Sequence, residues 1–256
     1  MRVLVTGAAG FLGRHVLAAL SQAGHEAVAA GHDTALPVEF RLSEQVEDLF
    51  AEVRPEAVVH LAGTSRREDF VRGPPESRTE NVSHPLLNVL DLAGARQVVH
   101  LSSAAACGDG PFEEDAPLRP RDLYGAARAS AEVFGSRRAT GPFVVLRPFL
   151  LHGEGAPVCT PFDSRSALHR PDTEVDILDV RDAAAAVLAA LSPHTPPGTL
   201  TVSSGRTLPL HVLLAQGRIR AAEMAPCEGP LRRWSAPALR LRALGWSPAY
   251  PVPGAT

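Results

Sequence analysis

Eight residues near the start of the chain, Thr6-Gly7-Ala8-Ala9-Gly10-Phe11-Leu12-Gly13, carry the clearest chemistry in the sequence. Three glycines at this spacing, after an apolar strand and ahead of a helical pattern, have separate uses. One permits a tight turn, one lets the backbone approach a pyrophosphate, and one lets helix and strand pack closely. The helix that follows presents free N–H groups and the positive end of its dipole to a phosphate. The turn therefore predicts a bound dinucleotide, with Gly7, Gly10 and Gly13 around the pyrophosphate. The cysteines form no comparable pattern. Cys107, Cys159 and Cys227 are odd in number and far apart, so neither a metal site nor a disulfide framework is expected. His60 and His100 fall within apolar runs and read as core histidines.

The elements that must position this turn can be read from the apolar periodicity. Strands are predicted at 3–5, 27–30, 57–61, 97–101 and 143–146, with a short one at 38–42. Helices are predicted at 11–23, closed by Gly24, at 43–53 with Ser43 as N-cap, at 81–93 despite Pro85, and at 122–138. The polar, proline-broken stretch 68–78 reads as a loop. Strand and helix in alternation predict an α/β fold of Rossmann type: a doubly wound parallel sheet with helices on both faces. The pattern thins after residue 150. A loop at 154–170, a strand at 175–178, a helix at 180–191, a strand at 200–202 and a helix near 208–216 suggest a small lobe, and a proline-rich tail follows. The expected division is a dinucleotide-binding domain over 1–150 and a substrate-binding lobe over 151–256, intertwined with the first.

A chain of 256 residues, 45% hydrophobic, suits such an arrangement. Its net charge of −3 points to neither a nucleic-acid surface nor an anionic membrane. The most apolar helical stretch, 183–191, is too short to span a bilayer, and the first residues lack the pattern of a signal peptide. A reducing, cytoplasmic location is the expectation. Lysine is absent, so all 25 basic residues are arginine.

Further motifs stand in order along the chain: Val58-Val59-His60-Leu61-Ala62-Gly63, Asn81-Val82, His100-Leu101-Ser102-Ser103, Tyr124-Gly125 with Ala131-Glu132, Leu146-Arg147-Pro148, Val180-Arg181-Asp182 and Leu244-Gly245-Trp246-Ser247-Pro248. With the glycine turn, this series resembles the extended short-chain dehydrogenase/reductase family, the group of NAD-dependent epimerases and dehydratases, over nearly the whole chain. The resemblance implies that Ser103 polarises a carbonyl and Tyr124 passes a proton. It also implies a cation one helical turn after the tyrosine, where residues i and i+4 share a face and a nearby positive charge favours a phenolate. The family has Lys there; this chain has Arg128, which keeps the charge but takes no part in proton exchange.

The resemblance further places Ala9, Phe11, Leu12, Leu61, Ala62, Gly63, Asn81, Tyr124, Arg128 and Pro148 at the coenzyme. An acid for the ribose hydroxyls ordinarily ends the second strand. Gly31 stands at that place, followed by His32 and Asp33. Without the acid a 2′-phosphate is not repelled and His32 can help hold it, which favours NADP; Asp33 would instead serve NAD. At the third strand, where the family has an acid and an apolar residue against adenine, this chain has Arg41-Leu42. The trimmed lobe, with Val175 where nucleotide-sugar enzymes place an arginine, favours a small polar metabolite with one hydroxyl or carbonyl. Two alternatives stay open: a non-catalytic dinucleotide-binding or scaffold protein, and a nucleotide-sugar epimerase or dehydratase. Homodimerisation through the helices at 81–93 and 122–138 is a further implication of the resemblance.

Overall fold

A computed structural model describes residues 1–63, 70, 75–157, 171–219, 233–252 and 254. Its main sheet has six parallel strands: β1 (Arg2–Thr6), β2 (Glu26–Ala30), β3 (Ala57–His60), β4 (Gln97–Leu101), β5 (Phe143–Pro148) and β8 (Gly198–Val202). They lie in the order β2-β1-β3-β4-β5-β8. Alternate side chains of a strand point to opposite faces. Val3 and Val5 accordingly enter one core while Leu4 enters the other, all three fully buried. The first core is covered by α1 (Phe11–Gln22) and α5 (Val180–Ala190). The second is covered by α2 (Ser43–Val53), α3 (Pro75–Ala93) and α4 (Leu123–Arg138). Successive strands run outward from β1 in opposite directions, to β2 on one side and β3 on the other. Ligands of open α/β sheets bind at the carboxyl ends of the strands at such a reversal.

Three expectations about local structure are corrected. No strand forms at 38–42; Leu36 makes one isolated bridge to Ala30, and a turn follows in which Leu42 N donates to Glu39 O at 2.9 Å. Pro37 has no N–H with which to extend the ladder. The stretch expected as a loop at 68–78 contains the first turn of α3, which begins at Pro75, a place where the missing N–H costs nothing. Ser43 is the first helical residue of α2 rather than its cap; Leu42 holds the cap position without a side-chain bond. Pro85 sits inside α3, as expected.

The remaining strands, β6 (Leu150–His152), β7 (Glu174–Asp179) and β10 (Arg233–Trp234), form a second sheet, with β9 (Thr207–Pro209) antiparallel on β7. Two short helices, α6 (Leu210–Ala215) and α7 (Leu239–Ala243), complete the described chain. Phe112, Phe149 and Trp234 meet edge to face in its core, at 5.0 to 6.0 Å between ring centres. Asp176 is buried among donors: the hydroxyls of Ser203 (2.7 Å) and Ser235 (2.8 Å) and the N–H groups of Ser204 and Gly205. Burial pushes its carboxyl upward, and these bonds oppose the shift. Past residue 150 the chain also returns to the main body, because β8 joins the large sheet and α5 covers its first core. The expected loop lies outside the described residues from 158 onward, as do Cys159 and Cys227.

Candidate active site

The glycine turn joins β1 to α1. Gly7 has φ +66°, and a Cβ there would lie 2.8 Å from Ala62 N, so glycine is required twice over. At Gly13 a Cβ would lie 2.5 Å from the carbonyl oxygens of Gly7 and Ala8, which brings helix and turn together. Gly10 caps α1 with extended backbone, and the first turn of that helix holds no acidic side chain to neutralise its positive end. Thr6 braces the turn from below. Its hydroxyl oxygen receives the N–H groups of Leu61 (3.2 Å) and Ala62 (3.1 Å) and lies 3.0 Å from Nδ1 of His60.

Above this turn is a cleft of 510 Å³. Of the residues expected at a coenzyme, Gly7, Ala9, Gly10, Gly31, His32, Asp33, Arg41, Leu61, Ala62, Gly63 and Asn81 line it. Phe11, Leu12, Gly13, Leu42 and Pro148 do not. Leu12 is buried in the first core, Phe11 packs edge-on against His15, and Gly13 faces the turn's own carbonyls. Leu42 is half exposed at the start of α2, and Pro148 is buried opposite Val202. Phe11 and Leu12 still offer the cleft their backbone N–H groups, which the first turn of a helix leaves unused.

Glu39, Phe40 and Pro85 line the cleft without having been anticipated. Arg41 grips Glu39 with two bonds, Nε to Oε1 at 3.0 Å and Nη2 to Oε2 at 2.9 Å, and reaches Asn81 Oδ1 with Nη1 at 3.2 Å. The hydrogen bond from Arg41 holds the Glu39 carboxyl below its usual range. Opposite charges two residues apart were the available signal, obscured by the expectation of a strand. Pro85 has no N–H to give the carbonyl of Asn81 four residues earlier. That oxygen faces Gly63, where a Cβ would sit 3.0 Å from it.

The second group of expected residues gathers where β4 meets α4. Ser103 caps a 3₁₀ turn, Ala104–Cys107, and its hydroxyl accepts from Ala105 N at 3.2 Å. Asp122 caps α4 by accepting from Gly125 N at 2.6 Å. The two turns are in contact: a Cβ at Gly125 would stand 2.4 Å from Ala105 O. Tyr124 therefore lies in the first turn of its helix, against the segment that carries Ser103. Arg128 is buried, with its guanidinium carbon 5.1 Å from the centre of the Tyr124 ring, and it donates to Leu101 O at 3.1 Å. Phe70 meets the tyrosine ring edge-on at 5.6 Å. None of Ser103, Tyr124 and Arg128 lines the cleft above the glycine turn.

Several other motifs turn out to be braces. Glu132 and Arg147 form a buried ion pair, 2.6 Å at its shortest, and Ser102 Oγ donates to the same carboxylate. Trp246 is buried in the first core and donates to Asp182 O at 3.0 Å, while the Asp182 carboxylate accepts from Ala249 N and Tyr250 N. Burial pushes the Cys107 thiol up, as befits an inert core residue. His60 and His100 are buried side by side in register, stacked at 5.6 Å. Burial pushes His60 down to about 3 and His100 well below its usual value, and the positive charge of Arg128 acts in the same direction on both. Among the described residues no helix is long and apolar enough to cross a membrane. Nor do three or more His, Cys, Asp or Glu gather there as a metal site.

A parallel sheet with a glycine cradle at its strand reversal defines a dinucleotide-binding α/β protein. The sequence matches the NAD dependent epimerase/dehydratase family over residues 3–202, and the chain belongs to that family. It is 33% identical over 147 residues to UDP-glucose 4-epimerase of Corynebacterium glutamicum, covering 52% of this chain and 45% of that one. It is 36% identical over 148 residues to UDP-glucose 4-epimerase of Azospirillum brasilense, covering 51% and 42%. The matches thus span about half the length of these relatives. Among solved structures, UDP-glucose 4-epimerase of Thermus thermophilus in complex with NAD superposes with a TM-score of 0.79 at 26% identity, covering 98% of this chain and 95% of that one.

Proposed function

We propose that this chain is an NAD(P)-dependent oxidoreductase of the epimerase/dehydratase type, acting on a hydroxyl or carbonyl of a small polar metabolite. The glycine turn carries the reading: Gly7 lets it pack directly on the Leu61–Ala62 backbone, and Gly7, Ala9 and Gly10 line a cleft beside a helix N-terminus whose first turn holds no acidic side chain. Gly7, Gly10 and the first N–H groups of α1 would hold the pyrophosphate of the coenzyme, and the residues from Gly31 to Arg41 its adenosine end. A bound nicotinamide supplies a site that takes or returns a hydride. Tyr124 carries the proton to or from the substrate oxygen, Ser103 steadies that oxygen, and Arg128 keeps positive charge under the phenol ring. NAD dependence is the property of the family. The expectation of NADP rested on Gly31 at the end of the second strand and did not weigh Glu39, which lines the same cleft.

A nucleotide-sugar substrate is the second reading, favoured by relatives named UDP-glucose 4-epimerase. Against it, Val175 is buried in β7, so the diphosphate-binding arginine of such enzymes has no counterpart at that position. A homodimer is proposed through α3 and α4, because Leu123, Val133 and Phe134 of α4 are about half exposed; a monomeric mass by light scattering would overturn it.

The deciding experiment is calorimetric titration with NADH and NADPH, followed by a carbonyl and nucleotide-sugar panel. Coenzyme binding with turnover supports the oxidoreductase. Binding without turnover on any substrate, unchanged by Arg128→Lys, supports the non-catalytic alternative. No binding by either coenzyme, reduced or oxidised, removes the proposal.

A further inference from the structure

We propose that Glu39 and Arg41 form a charge-paired gate that admits NAD and turns away the 2′-phosphate of NADP. The inference rests on the cleft being a dinucleotide site. Gly31 follows the strand beside the cradle, with its Cβ position 3.5 Å from Gly7 N, and it brings no side chain. The groups able to meet the adenosine ribose are then those just beyond it on the same wall. Of these, Glu39 is the acid with a fixed position. Arg41 holds both of its oxygens, and Arg41 N gives Oε1 a further bond at 3.1 Å. The Glu39 backbone is tied in turn, its N–H donating to Gln45 Oε1 at 2.9 Å.

This wall is rich in acceptors. Glu39 and Asn81 both line it, and the Asn81 carbonyl lies beside Gly63. Ribose hydroxyls and an adenine amine are donors and suit such a wall. A 2′-phosphate offers only acceptors and adds negative charge beside a carboxylate. Arg41 would be the natural ligand for that phosphate, since a guanidinium forks onto phosphate as it does onto carboxylate. Glu39 already occupies the fork. The acid therefore acts twice, by repelling the phosphate and by engaging the cation that would receive it. His32, 77% exposed with Nε2 3.9 Å from Glu39 Oε2, stands beside the pair and would reinforce phosphate binding once the acid is neutralised.

The gate is tested by titrating NAD⁺ and NADP⁺ into the wild type, Glu39→Gln, Asp33→Asn and the double variant Glu39→Gln/Arg41→Met, with thermal unfolding to verify that each is folded. The wild type is expected to bind NAD⁺ about tenfold or more tightly than NADP⁺. Glu39→Gln should shift that ratio toward NADP⁺ by about tenfold or more, with NADP⁺ binding that weakens as salt rises. The double variant should lose the gain, and Asp33→Asn should move the ratio much less. A wild type that prefers NADP⁺ overturns the gate, as does a ratio unmoved by Glu39→Gln, or one moved by Asp33→Asn alone. Those outcomes leave the dinucleotide reading intact, whereas failure of all four proteins to bind either coenzyme removes both.

Discussion

Two arginines stand where the family pattern has another residue, and their surroundings differ sharply. Arg128, in the place of a lysine, is 4% exposed, packed under Tyr124 and bonded to the carbonyl of Leu101. Arg41, in the place of an acid, has a side chain 49% exposed and holds Glu39 on the open wall of the cleft. The buried arginine is committed to one arrangement by everything around it. The exposed one is held mainly by Glu39, with one longer bond to Asn81, and a change in Glu39 loosens it. A like-for-like charge is thus a fixed structural part in one corner and an adjustable one in the other.

The comparison can be broken at several points. The largest effect should come at the buried corner. Tyr124→Phe should lower turnover by about 10²- to 10⁴-fold, the usual scale for a positioned acid–base group, while coenzyme affinity by calorimetry stays near wild type. Full activity in this variant would remove Tyr124 from the mechanism. Next comes pH. Unfolded His60 takes up its proton below 6.5, while the folded protein resists until about 3. The unfolded state therefore binds more protons between those values, and stability falls as pH drops through that window. By pH 5 the loss from His60 should be about 2 kcal/mol, and His100 adds to it in the same direction. Urea unfolding of the wild type against His60→Phe measures it, and identical pH slopes would contradict the buried, neutral imidazole.

Smaller effects separate the arginines directly. Arg128→Met removes a buried donor from Leu101 O and should cost about 1–3 kcal/mol in urea unfolding. Arg41→Met should cost less than about 1 kcal/mol, because its ion pair is partly exposed and screened by solvent. Equal losses at the two positions would erase the distinction between them.

Much of this was legible in the sequence, for reasons that differ by region. Strands buried on both faces, such as β1 and β3, announce themselves as unbroken apolar runs. The glycine turn is legible because each glycine answers a steric demand set by neighbours close in the chain or on the adjacent strand. Glu39 was not legible, since its position depends on Pro37 ending the bridge at Leu36 and on a partner selected by the resulting turn. The first turn of α3 was hidden by prolines, which a helix tolerates at its start but which read as breakers in a window. The motifs built on Glu132, Arg147, Asp182 and Trp246 were visible as landmarks. Their work as buried braces became clear only when β5, α4, α5 and the C-terminal segment were seen together.

The hydroxyl of Thr6 has one hydrogen, and its oxygen already receives two amide N–H groups from the segment above the cradle. Donated to Nδ1 of His60, 3.0 Å away, that hydrogen would leave the ring's own proton on Nε2. In that arrangement a single side chain at the end of the first strand sets the tautomer of an imidazole two strands of sequence away. It also ties proton placement in the interior to the shape of the surface turn, so a ring-nitrogen NMR spectrum of His60 would register distortion of the cradle from inside the core.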